Sequence, residues 1–316
     1  MTDGNGRKIE YLRVSVTDKC NFRCRYCMPK EGIRHLQHQD VLSFEEIRRL
    51  AEIMKDMGVR KIRLTGGEPL VRKGVVSLVS MLPGAVYMTT NGCMLPEYAG
   101  ALKEAGLCGV NISLDTLDRN TFCKLTGRDE LDLVLRGINA AREAGLPVKL
   151  NCVPIKGINE GEIEALCDFA ARMQLDIRFI ELMPIGCMHD LTGIPSDEII
   201  KKLGTDSLEP IEDADTLAGP AQYFKMRGFA TRIGFISPMS HRFCNVCNRI
   251  RLTADGYLKT CLQYATGADL RALLRGGADD KAIWDAIESA VRNKPSAHTF
   301  GSCDGSDIRR MVQIGG

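Results

Sequence analysis

The chain has 316 residues, of which 44% are hydrophobic and 26% charged, a composition typical of a globular protein with a sizeable core. Its 42 basic residues stand against 40 acidic ones, and a net charge of +2 argues against a broad nucleic-acid-binding surface. Residues 1–8 lack the apolar core of a signal peptide, and no apolar run approaches the roughly 18 residues of a membrane span. We therefore expect a cytoplasmic protein that binds neither nucleic acid nor membrane, in which 13 cysteines favour metal or redox chemistry over disulfides.

Strand-like and helix-like segments alternate along the first two-thirds of the chain. A capping box at Ser43–Glu46 starts an amphipathic helix, a second helical pattern ends near Gly145, and Asn159 is expected to cap a third. About six such repeats imply parallel strands joined by right-handed crossovers, too few to close an eight-stranded barrel. We therefore predict an α/β fold built as a partial, open TIM-type barrel. The predicted strands are Tyr11–Thr17, Arg60–Thr65, Val86–Thr90, Gly109–Asp115, Val148–Ile155 and Ile177–Met183.

The pattern changes after the sixth predicted strand. Gly and Pro residues interrupt the chain there, and they are followed by a short helix and by strands around Phe224–Ile236. Arg249–Leu262 is predicted to form a hairpin, and a long helical region to run over Asp269–Asn293. We divide the chain into a partial-barrel core, 1–235, and a smaller C-terminal region, 236–316.

The strongest motif is the spacing Cys20-x-x-x-Cys24-x-x-Cys27, directly after the first predicted strand. A 4Fe–4S cluster usually takes four thiolates, so three in one short loop leave one iron open to a ligand, which is typical of a catalytic site. A three-ligand zinc site and buried apolar cysteines are the alternatives. The ring of Tyr26, inside the motif, could stack on a flat ligand such as adenine.

Polar segments follow several predicted strands. In Thr65–Pro69, paired glycines would let a ligand approach the backbone and Glu68 could hold an ammonium group, although a Gly-Gly turn before Pro is also a common loop. Thr89–Gly92 and Ser113–Asp115 end the next two strands. Because active sites of α/β barrels lie at the C-terminal ends of the strands, we expect these segments and the cysteine loop to line one pocket.

A second cysteine group lies in the C-terminal region. Cys244 and Cys247 are separated by two residues, and Cys261 follows across the predicted hairpin. His241 is close enough in sequence to complete a zinc site with them. A second cluster with an open iron explains the three thiolates equally well.

Basic residues on strands are the candidates for anion binding. Arg249 and Arg251 alternate on the strand after Cys247, so they project to one face and could clamp an anion, or form an exposed basic face. The chain has no G-x-x-x-x-G-K-[ST] loop, so a triphosphate would have to be held by cations on strands that line a barrel mouth. Surface or salt-bridged cations are the alternative for any single arginine.

The other seven cysteines have no ligand spacing. Cys152 lies inside a predicted strand and Cys167 on the apolar side of a helix, so both are predicted to be core residues. No role is assigned to the other five, Cys93, Cys108, Cys123, Cys187 and Cys303.

The first cysteine motif, with Tyr26 and the Gly-Gly-Glu-Pro turn, resembles the radical SAM superfamily (SAM is S-adenosylmethionine). Longer segments resemble the GTP 3′,8-cyclase family of molybdenum cofactor biosynthesis, and the pattern Cys-x-x-Cys-Asn-Arg-x-Arg-Leu-Thr-Ala-Asp-Gly is specific to that family. The matching segments span nearly the whole chain: Leu12–Pro29, Lys61–Leu70, Thr89–Gly92, Lys149–Asn159, Cys244–Leu262 and Ile314–Gly316.

The resemblance implies which residues hold cofactors and substrate. A 4Fe–4S cluster with an iron open to SAM would be held by Cys20, Cys24 and Cys27. A second 4Fe–4S cluster, which would bind the guanine ring of GTP, would be held by Cys244, Cys247 and Cys261. The positions that match SAM contacts are Tyr26, Gly67, Ser113 and Met183. The positions that match GTP contacts are Arg13, Arg63, Thr89, Lys149, Arg178, Arg249 and Arg251.

The resemblance also implies a reaction, the first step of molybdenum cofactor synthesis. An electron entering the first cluster cleaves SAM to methionine and a 5′-deoxyadenosyl radical, which takes hydrogen from the ribose C3′ of GTP, and the new radical attacks C8 of guanine. Expected partners are GTP, an electron donor and the next enzyme, cyclic pyranopterin monophosphate synthase; a homodimer is compatible with the family. The C-terminal Gly315-Gly316 is expected to insert into the active site, the alternative being a disordered end.

Two other functions remain open at this point. A radical SAM maturase acting on a peptide would also carry extra clusters. A zinc or iron–sulfur electron-transfer module would need no substrate pocket.

Overall fold

The computed structural model describes residues 1–185, 190–212, 219–300 and 307–315. Cys187, Cys303 and Gly316 lie outside these ranges. No helix within them is long and apolar enough to cross a membrane.

The described residues contain twelve strands that form one continuous sheet. In chain order they are β1 Tyr11–Ser15, β2 Lys61–Thr65, β3 Ala85–Thr90, β4 Gly109–Ser113, β5 Val148–Cys152, β6 Asp176–Ile180, β7 Leu208–Ile211, β8 Gln222–Met226, β9 Arg232–Ile236, β10 Arg249–Leu252, β11 Tyr257–Lys259 and β12 Gly267–Asp269. Their order across the sheet is β12-β11-β10-β1-β2-β3-β4-β5-β6-β9-β8-β7. The strands from β10 through β1–β6 to β9 run parallel, and the outer strands run antiparallel.

The predicted α/β fold with an open, partial TIM-type barrel is confirmed. Within the described ranges no pairing joins β7 to β12, so the sheet does not close on itself. The six predicted strands are β1–β6, with C-terminal ends predicted up to three residues too late. The chain after β6 extends both edges of this sheet, through β7–β9 beside β6 and β10–β12 beside β1. Since β9 contains residue 235 and pairs with β6, the division at that residue stays a prediction.

Ten α-helices are present in the part of the chain that the structure describes. They are α1 Phe44–Asp56, α2 Val75–Met81, α3 Leu95–Glu104, α4 Arg119–Thr126, α5 Leu131–Glu143, α6 Ile163–Arg172, α7 Ser196–Leu203, α8 Leu270–Arg275, α9 Asp280–Arg292 and α10 Met311–Ile314. The predicted capping box starts α1: the Ser43 hydroxyl accepts from the amide of Glu46 at 3.1 Å, and the Glu46 carboxylate accepts from the amide of Ser43 at 2.7 Å.

The prediction that Asn159 caps the third helix is wrong. Its side-chain oxygen accepts from the amide of Ile155 at 2.7 Å, and its Nδ2 donates to the carbonyl of Asp115 at 2.8 Å. Asn159 therefore joins the loops after β4 and β5, and α6 begins at Ile163 without a side-chain cap.

The single long helical region predicted near the C-terminus is divided in two. Gly276 and Gly277 separate α8 from α9, and Gly277 has φ +79°, a conformation that ends a helix. Asp269 and Asp279 cap the two helices through side-chain bonds to Ala272 and Ala282.

Alternation along the strands separates the core from the barrel interior. In β1, Leu12 and Val14 are fully buried and belong to the hydrophobic core with α1 residues such as Leu50, whereas Arg13 lines the interior cavity. Cys152 and Cys167 are 1% and 2% exposed, so the prediction that they are core residues is confirmed.

Candidate active site

A cavity of about 980 Å³ occupies the interior of the barrel. Every residue that the sequence analysis assigned to a cofactor or substrate lines it. They are Arg13, Cys20, Cys24, Tyr26, Cys27, Arg63, Gly67, Thr89, Ser113, Lys149, Arg178, Met183, Cys244, Cys247, Arg249, Arg251 and Cys261. The fold therefore brings these residues together, whatever each one binds.

The two cysteine triads lie at opposite ends of the barrel. The first triad follows the C-terminal end of β1. Cys247 precedes β10, which is parallel to β1, and Cys261 follows β11, which is antiparallel to β10. The second triad therefore lies at the N-terminal ends of the parallel strands, with the length of the barrel between it and the first.

Three arginines lie side by side between the triads. Arg13 of β1 pairs with Arg251 of β10 on one side and with Arg63 of β2 on the other. Opposite residues on neighbouring strands share a face, so all three side chains enter the cavity. Burial, with repulsion from the other arginines, lowers the pKa of Arg13 to about 10 and that of Arg251 to about 9. An anion bound among them would stabilise their charged forms.

Tyr11 lies two residues before Arg13, opposite Lys61 and Arg249. Its hydroxyl accepts a hydrogen bond from Arg63 Nε at 2.5 Å. Burial alone would raise the pKa of this phenol, but the charges of Arg63, Arg13 and Lys61 lower it to about 7. Tyr11 and Lys61 were not predicted as site residues, although each lies two positions before a predicted arginine, Arg13 or Arg63, and so on the same strand face.

The opposite wall of the cavity holds further candidate substrate contacts. Lys149 Nζ lies 3.3 Å from the Tyr223 hydroxyl and 3.9 Å from the Asp176 carboxylate. Arg178 donates two hydrogen bonds to Asn151 Oδ1, at 3.0 and 2.7 Å. The buried hydroxyl of Thr89 has no hydrogen-bond partner among the described residues.

The first triad lies on a tight turn. The amides of Cys27 and Met28 donate to the carbonyl of Cys24 at 2.9 and 3.1 Å, and the amide of Phe22 donates to Cys20 Sγ at 3.4 Å. Burial raises the pKa of all three thiols, that of Cys20 to about 11. Thiolates are unfavourable here without a cation, and iron would supply one. Three thiols on the wall of a large cavity fit a cluster with one open iron.

Glu68 joins the loops that follow β2 and β3. Its carboxylate accepts from the Thr90 hydroxyl and the Asn91 amide, both at 2.7 Å, and from the amide of Leu70 at 3.0 Å. Burial raises its pKa to about 7 despite these bonds. Both carboxylate oxygens accept bonds from the chain, and the role of Glu68 in holding an ammonium group stays a prediction. The prediction that the cysteine loop lines one pocket with Thr65–Pro69, Thr89–Gly92 and Ser113–Asp115 is confirmed, because residues of all four segments line the cavity.

Two positions assigned to SAM are tightly held. The Tyr26 hydroxyl donates to Asp115 Oδ2 at 2.5 Å. A Cβ on Gly67 would lie 2.3 Å from the carbonyl oxygen of Lys19. Glycine is therefore required at residue 67 by packing against the segment that leads into the first triad, and the close approach predicted for a ligand is made by this backbone.

Cations surround the second triad. Arg7 Nη1 donates to the carbonyl of Cys244 at 2.7 Å, and Lys294 Nζ donates to the carbonyl of Arg249 at 3.1 Å. Burial alone would raise the pKa of the Cys247 thiol, but Arg249 and Lys294 lower it to about 7. A thiol that loses its proton this readily is suited to binding iron. Arg7 and Lys294 were missed because neither lies near a cysteine motif in the sequence.

The zinc alternative for the second triad is not supported by the position of His241. Its Nε2 lies 2.8 and 2.9 Å from the two carboxylate oxygens of Asp197. In the described ranges no three His, Cys, Asp or Glu side chains converge closely enough to hold one metal ion. The thiolates of a 4Fe–4S cluster bind different irons, so they need no common point of convergence.

The C-terminal segment enters the same cavity, which Met311 and Val312 line. The carbonyl of Gly315 accepts from Arg251 Nη1 at 2.7 Å. Gly315 has φ +75°, and a Cβ there would lie 2.5 Å from Thr65 Oγ1. Docking of the C-terminus is thus observed up to Gly315, with Gly316 outside the described residues.

Comparisons with known proteins agree with this geometry. Residues 14–170 match the family model described as "Radical SAM superfamily", and residues 175–300 match the model "Molybdenum Cofactor Synthesis C". A curated protein of Peptoclostridium acidaminophilum named GTP 3′,8-cyclase is 45% identical over 100% of this chain and 98% of its own. A Pseudomonas aeruginosa protein named GTP 3′,8-cyclase 1 is 47% identical over 99% of this chain and 98% of its own.

Among solved structures, that of Streptococcus suis SuiB bound to S-adenosylmethionine is similar in fold alone. Its TM-score is 0.64 at 16% identity, and the match covers 90% of this chain and 68% of that one. The radical SAM match assigns SAM and a 4Fe–4S cluster to this protein. The full-length identities show that the chain belongs to the GTP 3′,8-cyclase family of the radical SAM superfamily.

Proposed function

We propose that this protein is a radical SAM GTP 3′,8-cyclase that converts GTP to a 3′,8-cyclised dihydro-GTP, the first step of molybdenum cofactor synthesis. The observation that carries the proposal is the arrangement of one cavity with a thiol triad at each end and the Arg13, Arg63 and Arg251 row between them. An enzyme of this type must hold SAM and a polyanionic nucleotide side by side, away from water.

The first triad would hold the SAM cluster. When bound, that cluster supplies the electron that cleaves SAM. The chain contributes the position of SAM: Asp115 fixes Tyr26, and the absence of a side chain at Gly67 lets the loop after β2 pack against Lys19, just before Cys20. Ser113 and Met183 lie on the same cavity and are proposed as further SAM contacts.

The second triad would hold a second 4Fe–4S cluster beside the guanine of GTP. The lowered pKa of Cys247 and the cations around it support this assignment. The triphosphate would be held by the arginine row and Arg249, with Lys149 and Arg178 on the opposite wall. The Thr89 hydroxyl would gain in GTP a hydrogen-bond partner that it lacks among the described residues.

The cations also favour GTP over a peptide. Buried arginines on three neighbouring strands suit a polyanionic nucleotide, and a peptide without acidic groups would leave their charges uncompensated. An electron-transfer module needs no cavity of 980 Å³.

Anaerobic reconstitution tests the proposal. Two clusters correspond to about eight irons per chain, and one cluster with a zinc site to about four irons and one zinc. With SAM, reductant and GTP, we expect 5′-deoxyadenosine and a cyclised product with the mass of GTP. Cleavage of SAM with unchanged GTP would contradict the proposed substrate.

The partners follow from the proposed reaction. An electron donor must reduce the first cluster, and cyclic pyranopterin monophosphate synthase would take up the product. A homodimer and a cytoplasmic location remain predictions from the sequence.

A further inference from the structure

Two paired residues of the β10–β11 hairpin contact the two ends of the C-terminal segment 307–315. Arg251 of β10 and Lys259 of β11 are paired residues, so their side chains leave the same face. Arg251 Nη1 donates to the carbonyl of Gly315 at 2.7 Å, and Lys259 Nζ donates to the carboxylate of Asp307.

The Lys259–Asp307 pair is deeply buried. Lys259 is 0% exposed, and its second hydrogen bond goes to the carbonyl of Tyr264 at 2.6 Å. Asp307 donates its amide to the carbonyl of Gln263 at 2.7 Å and accepts from the amide of Arg309 at 2.9 Å. A buried lysine is unfavourable without a counter-ion, so this contact depends on the acid at residue 307.

The residues between the two anchors follow the surface of the hairpin inward. Arg309 lies over the ring of Tyr257 at 4.8 Å and 3.9 Å from the Asp255 carboxylate. Val312 and Ile314 are then buried, 3% and 1% exposed, before Gly315 reaches Arg251. Each contact therefore restrains where the Gly315 carbonyl lies.

We propose that Lys259 and Asp307 form a positioning pair that fixes the C-terminal segment, so that the Gly315 carbonyl orients Arg251 for GTP. Neither residue lines the cavity. They act through the segment and through Arg251, which has a second donor edge left for the nucleotide. This inference rests on the proposed function, because the role of Arg251 at GTP is part of it.

The test uses the full-length, reconstituted protein with Asp307→Ala, Asp307→Asn and Lys259→Met. Losing a hydrogen bond between charged groups corresponds to about a ten-fold effect or more. We expect cyclised product to fall at least about ten-fold in Asp307→Ala and Lys259→Met, with SAM cleavage by reductant within about two-fold of wild type. Asp307→Asn keeps an acceptor for Lys259 and should retain more product than Asp307→Ala.

A second measurement separates positioning from folding. Hydrogen exchange should become faster in peptides covering residues 308–315, with iron content unchanged. The matched control is Asp285→Ala, which removes an exposed pair with Lys281 (55% and 75% exposed) and should change neither product nor exchange.

Three outcomes would overturn the inference: wild-type product yield in Asp307→Ala, unchanged exchange at 308–315, or loss of iron and SAM cleavage in all three variants. The last would make the pair a general fold contact. If the wild-type protein itself cleaves SAM but leaves GTP intact, the proposed function fails while the exchange measurement still tests the anchoring.

Discussion

Three arginines of the cavity, Arg63, Arg178 and Arg251, donate to acceptors that carry no permanent charge. Arg63 donates to the Tyr11 hydroxyl and the Met88 carbonyl, Arg178 to the Asn151 amide oxygen and Arg251 to the Gly315 carbonyl. Neutral acceptors orient a guanidinium group without compensating its charge. A buried arginine in this state gains most from an anionic ligand, which is why we assign the row to the nucleotide.

Replacing Arg249 or Arg251 with Ala should therefore weaken GTP binding much more than SAM binding. A charge-assisted contact contributes roughly 1.5–3 kcal/mol, which corresponds to about 10- to 150-fold in affinity. Calorimetry on the reconstituted variants measures both ligands. Arg119→Ala, which removes an exposed partner of Asp129, is the control and should change neither affinity. Unchanged GTP affinity in both cavity variants would return these arginines to an ordinary basic strand face.

Tyr11 gives GTP binding a pH dependence. Its pKa is lowered to about 7 because nearby cations outweigh its burial, so it becomes an anion inside the arginine row as the pH rises through 7. The phenolate competes with phosphate for the same cations, and GTP affinity should fall between pH 6.5 and 8.5 relative to that of Tyr11→Phe. Calorimetry at the two pH values, with the variant as reference for the ionisation of GTP itself, measures the difference. Parallel pH profiles for the two proteins would contradict the lowered pKa.

At the scale of elements, the motif-bearing loops were predictable and their mutual positions were not. The spacing of Cys20, Cys24 and Cys27 after a strand indicated a cluster loop, and Arg249 with Arg251 indicated one strand face. Nothing in the local pattern showed that β10 pairs in parallel with β1, because that pairing joins residues more than 200 positions apart. This one pairing places Arg13 beside Arg251, and it places the second triad at the end of the barrel opposite the first triad.

Because the two triads lie on separate elements, a substitution in the first triad and one in the second should have different effects on SAM cleavage and on GTP turnover. Cys24→Ser should abolish reductive SAM cleavage, since oxygen is a poor substitute for sulfur on a cluster iron. Cys261→Ser should spare some SAM cleavage and lose GTP turnover. Iron analysis and product chromatography on both variants make the comparison. If both failed alike while Cys261→Ser kept its first cluster, the two triads would not have separate roles.

Truncation of the C-terminal segment should affect formation of the cyclised product without affecting SAM cleavage. Deleting Gly315 and Gly316 should leave iron content and SAM cleavage largely intact but stop formation of the cyclised product. Gly315→Ala should act in the same direction, because its Cβ would meet Thr65 and its φ of +75° disfavours any side chain. Gly161→Ala, at a site with no atom within 4 Å of the added Cβ, is the control. Normal product yield from the deletion variant would show that the end of the chain is dispensable.

At the scale of the whole molecule, strand–helix repeats predicted the open barrel but not how it is completed. The chain after β6 supplies a strand to each edge of the six-stranded barrel, β10 beside β1 and β9 beside β6. Strands were predicted in both places, around Phe224–Ile236 and over Arg249–Leu262, but they lie outside the strand–helix repeats. Periodicity therefore could not reveal that they extend the edges of the barrel. Arg7 and Lys294 could not be predicted as neighbours of the second triad for a related reason. Both are distant from its motif in sequence, and only the folded chain brings them into contact with Cys244 and Arg249.

The most direct test of GTP as the substrate of this cavity is the fate of hydrogen on its ribose. GTP carrying deuterium at C3′ is incubated anaerobically with the reconstituted protein, SAM and reductant, and the products are analysed by mass. The account predicts deuterium in 5′-deoxyadenosine and a cyclised product that has lost it from C3′. Unlabelled 5′-deoxyadenosine, formed while the GTP keeps its deuterium, would contradict it.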